Sequence, residues 1–178
     1  MPTGAHDPKP EFFAAGTGKQ ANCYAFAVNL LNSDSPSLHP GQIASPADSS
    51  KWATGQGPTI DEYRAACELD KLRYLGTDIT TAASYSHGRT DGFVMMLEKV
   101  GPGGDFHAAR MDSNGNWCEK YADATPYLAD GDQPGHRIGI KRYFWVDPSV
   151  VKLTAVVASS RASSGSSSGS KDGCCIIC

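Results

Sequence analysis

The sequence predicts an α+β domain, with helices first and an antiparallel sheet after them. Three observations predict it. Apolar residues recur at helical spacing only in the first half, at Tyr24, Ala27, Leu30 and Leu31 and again at Ile60, Tyr63 and Cys67. The second half carries short apolar runs of strand length, at 93–97 and 138–146. Between those runs, Ser113-Asn114-Gly115 separates two alternating segments in the manner of a hairpin turn.

Taken in order, residues 1–15 carry Pro2, Pro8 and Pro10 and read as an irregular lead-in docked by Phe12 and Phe13. Gly16-Thr17-Gly18 leads to Asn22, a capping residue, and a helix is expected from Asn22 to Leu31. Residues 32–58 are rich in Ser, Pro, Gly and Asp and read as a long loop pinned by Trp52. Thr59 and Glu62 form a capping box, so a helix is expected to run to Tyr74 and to end at Gly76. Residues 77–91 are polar and read as loop. Strands are expected at 93–97, 105–112, 116–121 and 138–146, and β-branched content favours another at 150–157.

The totals narrow the function. A chain of 178 residues with 40% hydrophobic and 20% charged side chains suits one soluble domain with a real core. A net charge of −3 gives no bulk basicity for nucleic acid. No apolar run is long enough to span a bilayer, and the first six residues have neither the basic nor the apolar stretch of a secretory signal. Cys23, Cys67 and Cys118 stand apart, which points to a reducing cytosol. No paired Cys/His spacing fits zinc, so neither a metal nor a cofactor is expected.

The chemistry centres on Cys23, in the first turn of its expected helix. Backbone N–H groups at a helix start favour a thiolate and make a better nucleophile. A distant histidine is the partner to look for. His6, His39, His87 and His136 fall in the lead-in, loops or turns, whereas His107 opens an expected central strand. A three-residue turn with Gly115 in the left-handed position would pair Met111 with Trp117, Ala109 with Glu119 and His107 with Tyr121. His107 and Glu119 then share a face, and the carboxylate can orient the imidazole. Asp123 has the same parity and is the second choice.

Asn22-Cys23-Tyr24-Ala25-Phe26-Ala27 resembles the helix start of papain-like cysteine peptidases. The stretch from Asp105 to Trp117 resembles a segment of the NlpC-type branch, whose third catalytic residue follows the histidine by one hairpin. That residue is commonly histidine there, and Glu119 departs from it. The resemblance covers about residues 16–146. It implies a papain-like domain over 1–158, with Cys23 as nucleophile, His107 as general base and then acid, and Glu119 or Asp123 as orienter. The implied reaction is hydrolysis or acyl transfer on a protein or peptide through a thioester. The Cys23 N–H and the Gln20 side chain would serve the oxyanion.

The end of the chain has a different composition. Residues 159–173 form a Ser/Gly-rich stretch with nothing to bury and read as a flexible tether. Cys175-Ile176-Ile177-Cys178 fits a prenylation box, and the last six residues resemble the tails of fungal Ras GTPases. The expected modifications are a prenyl group on Cys175, added by a prenyltransferase, and palmitate on Cys174. One prenyl chain anchors weakly, so the second lipid would complete an anchor at the cytosolic face of a eukaryotic membrane.

Overall fold

The computed structural model describes residues 7–31, 37–45, 57–101, 105–122, 124–129, 134–135 and 139–152. The architecture is α+β: a few short helices and a six-stranded, wholly antiparallel sheet. The strands are β1 (Arg73–Gly76), β2 (Phe93–Val100), β3 (Asp105–Met111), β4 (Trp117–Glu119), β5 (Tyr127–Leu128) and β6 (Ile140–Val146). Their order across the sheet is β1-β6-β2-β3-β4-β5.

A short 3-10 turn (Pro10–Phe13) in the lead-in is followed by two helices, α1 (Thr17–Gln20) and α2 (Cys23–Ala27). Asn22 caps α2, its side-chain oxygen accepting the Ala25 N–H at 3.0 Å. The same amide clamps a distant backbone segment. Its Nδ2 donates to the Leu38 carbonyl at 2.7 Å, and its Oδ1 accepts the Leu38 N–H at 3.2 Å. The helix stops four residues before the expected Leu31. Asn29 turns left-handed with φ 57°, and the Asn29 and Leu30 N–H groups return to the carbonyls of Phe26 and Ala25. This pairing closes a helix end without glycine. Asn29 also ties down the lead-in, accepting the Lys9 N–H at 2.9 Å. Phe12 docks edge-on to Phe26 at 5.4 Å, whereas Phe13 stays half-exposed.

Helix α3 (Ile60–Leu69) begins at the expected Thr59/Glu62 capping box. It ends at Leu69 rather than near Tyr74, because Lys71 takes φ 70° and the Leu72 N–H returns to the Cys67 carbonyl. Residues 73–76 are thereby released to form β1, which pairs with β6. Asp70, buried at this corner, accepts the Tyr24 hydroxyl at 2.7 Å and the N–H groups of Gly41 and Ala44 at 2.6 and 2.9 Å. Burial pushes its carboxyl up to about 6 although these donors pull it down.

The segment 77–91, expected as loop, contains α4 (Ile79–Ser86), capped by Asp78 on the Thr81 N–H at 2.8 Å. Ala82 is its fully buried residue, with Ile79 and Tyr85 partly buried against the same cluster. The strand at 93–97 extends to Val100. Residues 150–152 lie outside any strand; the rest of the expected last strand, Trp52 and the tether lie outside the described residues.

The sheet separates two apolar layers. On one face, Met95, Leu97, Phe106, Ala108, Cys118 and Phe144 pack with α2 and α3. On the other, Val94, Met96, Ala109, Trp117, Tyr143 and Trp145 pack with Ala82 of α4. Burying a side chain such as Phe26 stabilises by about 1.5–3 kcal/mol. Asn22→Ala removes the α2 cap and orphans two buried Leu38 backbone groups. It is expected to lower unfolding free energy by about 1–3 kcal/mol, measured by urea denaturation of the purified chain.

Candidate functional site

The β3–β4 hairpin forms in the register expected from its turn. Met111 pairs with Trp117 and Ala109 with Glu119, and the Asp112 N–H meets the Asn116 carbonyl at 2.8 Å. Gly115 takes the left-handed φ of 86° that this turn demands. Asp112 braces the turn by accepting the Asn114 and Asn116 N–H groups, each at 2.8 Å.

This register brings His107 and Glu119 together under cover. The His107 Nε2 lies 3.6 Å from the Glu119 Oε2, an ion-pair distance rather than a hydrogen bond. Both residues are almost wholly buried, 1% and 4% exposed. Tyr121 stacks on the imidazole with centroids 4.2 Å apart and planes within 6°. The Tyr127 hydroxyl donates to Glu119 Oε2 at 3.1 Å, and the Gly135 N–H donates to Oε1. A side chain at position 135 would put its Cβ 2.5 Å from the buried Glu98 carboxylate, so glycine is needed there. Glu98 itself stands opposite His107 across the β2–β3 ladder.

The electrostatics follow from these contacts. Burial pushes the Glu119 carboxyl up, but His107, the Gly135 N–H and the Tyr127 hydroxyl outweigh it and hold the group at about 2. Burial, together with the Glu119 charge, lifts the Tyr121 hydroxyl to about 12 and the Tyr127 hydroxyl well above its ordinary value. These donors keep Glu119 a carboxylate although it is buried.

Cys23 is elsewhere. It is fully buried at the start of α2, in the layer formed with Phe106, Ala108 and Cys118. Side chains alternate along β3. With Phe106 and Ala108 turned towards α2, His107 and Ala109 turn away from it. Strand parity thus turns the His107 side chain to the face of β3 opposite the one that packs in the Cys23 layer. Gln20, the expected oxyanion donor, is exposed at the end of α1. Asp123 and His136 lie outside the described residues, as do Cys174 and Cys175.

The histidine placed in the Cys23 layer is His39. Its ring meets Phe106 edge-on at 5.7 Å, and its neighbour Leu38 is the residue clamped by Asn22. No periodicity or motif marks His39 in the sequence; the long-range clamps of Asn22 on Leu38 and of Asp70 on Gly41 and Ala44 hold its segment at this face. Comparison of the chain with protein-family profiles, with curated proteins and with solved structures gives no match. Among the described residues no helix is long and apolar enough to cross a membrane.

The depressed Glu119 carboxyl has a pH consequence with a definite sign. Its folded value of about 2 lies below the ordinary 4.5, so its contribution is complete above pH 4.5 and is lost as pH falls towards 2. Glu119→Gln is expected to cost roughly 3 kcal/mol at pH 7 and to flatten stability between these pH values. Denaturant unfolding of parent and variant across that range checks this. A variant as acid-sensitive as the parent would contradict the assignment.

Proposed function

We propose that the chain is a membrane-anchored binding module, in which the α+β domain engages a protein partner and the terminal cysteines carry the anchor. Strand parity supports the non-catalytic part: Cys23 packs in the layer of Phe106 and Ala108, and alternation along β3 turns His107 towards the other face. Nucleophilic thiol catalysis needs sulfur and base within hydrogen-bond reach, about 4 Å. In this reading the His107–Glu119 pair is a structural element that fixes the β3–β4–β5 edge, and Cys23 is a small apolar filler under α2. A prenyl group on Cys175 and palmitate on Cys174 would hold the domain at the cytosolic face of a membrane, each lipid alone being too weak.

A second reading is favoured by the Glu119 carboxylate, which sits beside His107 in the register that a catalytic pair would use. Here the chain is a lipid-anchored cysteine hydrolase or acyltransferase with a papain-like, NlpC-type arrangement. Cys23 attacks a carbonyl of a protein or peptide and forms a thioester, and water or an amine resolves it. His107 takes the thiol proton and returns it to the leaving group, Glu119 or Asp123 orients the ring, and the Cys23 N–H with Gln20 meets the oxyanion. This reading requires a conformation in which β3 presents His107 to the sulfur.

Exposing the native full-length chain to a thiol-reactive electrophile at neutral pH separates the two. The binding-module reading expects Cys23 to be labelled only as fast as the domain unfolds, with His107→Ala leaving that rate unchanged apart from its effect on stability. Rapid stoichiometric labelling of Cys23 that His107→Ala abolishes would overturn it in favour of the enzyme. Intact mass of the chain made in eukaryotic cells tests the anchor: an isoprenoid adduct lost in Cys175→Ser is expected, and an unmodified tail would remove the membrane from the account.

A further inference from the structure

We propose that residues 37–45 form a strap over the α2–α3 layer, and that the protonation state of Asp70 sets how tightly this strap is seated. The device is independent of both readings of function.

The strap is one body. The His39 N–H donates to Gln42 Oε1 at 2.8 Å, and the Gln42 and Ser45 N–H groups return to the carbonyls of His39 and Gly41 at 3.1 and 3.0 Å. Leu38 and Ile43 sink into the layer that holds Cys23 and Cys67, and the His39 ring meets Phe106. Gly41 rests on α3. Its φ is 90°, and a Cβ there would come within 3.4 Å of the Ala66 Cβ. Lifting the strap therefore uncovers part of this layer.

Two side chains fasten it. Asn22 holds Leu38 through its neutral amide. Asp70 holds the rest, accepting the Gly41 N–H at 2.6 Å, the Ala44 N–H at 2.9 Å and the Ile43 N–H. Of the two fastenings, Asp70 is the one that can titrate. It is fully buried, and among the described residues no group facing it carries a positive charge. Helix α2 contributes the Tyr24 hydroxyl at 2.7 Å, and α3 contributes the Cys67 thiol. Burial pushes both of these groups well above their ordinary values and keeps them neutral. Glu68 adds only negative charge, the strap turns backbone N–H groups to the carboxyl, and Lys71 is exposed. A buried carboxylate with no cation beside it is costly. Opening the strap returns the ionised carboxylate to water, so ionisation favours opening.

The direction of the effect follows. Burial is the largest influence on Asp70 and lifts its carboxyl from 3.8 to about 6 in the folded chain. The closed strap thus prefers neutral Asp70. The stability this supplies is complete below 3.8 and is lost as pH rises through about 6. Glu119 acts in the opposite sense but only below pH 4.5, so the range above that value reports Asp70.

Amide exchange of the full-length chain, read by NMR and divided by the intrinsic rate at each pH, measures the opening. Between about pH 4.5 and about pH 7 the protection of the Gly41 and Ala44 amides is expected to fall roughly tenfold or more, and to lie below that of the amides in β2 and β3. Asp70→Asn keeps an acceptor and cannot ionise, so it is expected to abolish the fall. Protection in the parent that is flat or rises with pH would overturn the proposal. So would a fall that persists in Asp70→Asn, because His39 or another group would then be its source. Exchange of Gly41 and Ala44 in step with β2 and β3 would overturn the strap as a separate unit. If Asp70→Asn does not fold, His39→Asn decides: a fall retained in it supports Asp70, and a fall lost overturns the assignment.

Discussion

The alternation of side chains along β3 is the constraint on which the rest depends. Phe106 turns towards α2 and α3, where Tyr24 and Tyr63 meet it at centroid distances of 6.3 and 5.3 Å. Once that aromatic contact is made, His107 has to face the other way. The α2 layer is mostly apolar against the sheet, with the buried Arg110 guanidinium lying over the Phe93 ring at 3.8 Å, and Glu98, His107 and Glu119 collect on the α4 face. A shift of one residue in β3 would exchange the two sets. It would drive a carboxylate-paired imidazole towards α2 and expose Phe106 to the polar side.

The polar cluster is stable because its partners come from consecutive turns of one edge. Glu119 leaves β4, Tyr127 enters from β5, and the Gly135 backbone closes over the carboxylate. A buried carboxylate without such donors would be neutralised or would destabilise the fold. The opposite layer solves a similar problem at Asp70, where Tyr24 and two backbone N–H groups gather a second buried carboxyl. Asn22 and Asn29 bracket α2 between these regions, one tied to Leu38 and the other to Lys9. A five-residue helix is too short to stand by propensity alone, and these amide clamps with its buried face hold it.

The hairpin was readable from residues because its information is local. Gly115 fixes the turn, the turn fixes the register, and the register predicts that Tyr121 meets His107 and that Glu119 lies near it. The Thr59/Glu62 box and the Asn22 cap were readable for the same reason. Helix ends were not. Asn29 and Lys71 adopt left-handed backbone without being glycine, so no glycine marks either helix end in the sequence. Helix α4 carries Thr, Ser and Ala with one buried residue, and its existence depends on packing against β1, β2 and β6. The pairing of Cys23 with His107 required knowing which face of β3 the helix would cover. Periodicity gives the two faces of a strand but not the choice between them. That choice was made by Phe106 and Ala108, whose partners lie on helices α2 and α3 and in the segment around Leu38.

The side of the sheet on which the sulfur lies is accessible to a direct titration. Thiolate absorbance of the folded chain can be followed against pH, with Cys23→Ser as the blank that isolates this sulfur. The account predicts that the Cys23 signal is the same in the parent and in His107→Asn over the range where both remain folded. A Cys23 thiolate present at acid pH and lost on that substitution would contradict it, because such a dependence requires the imidazole and the sulfur to be in contact.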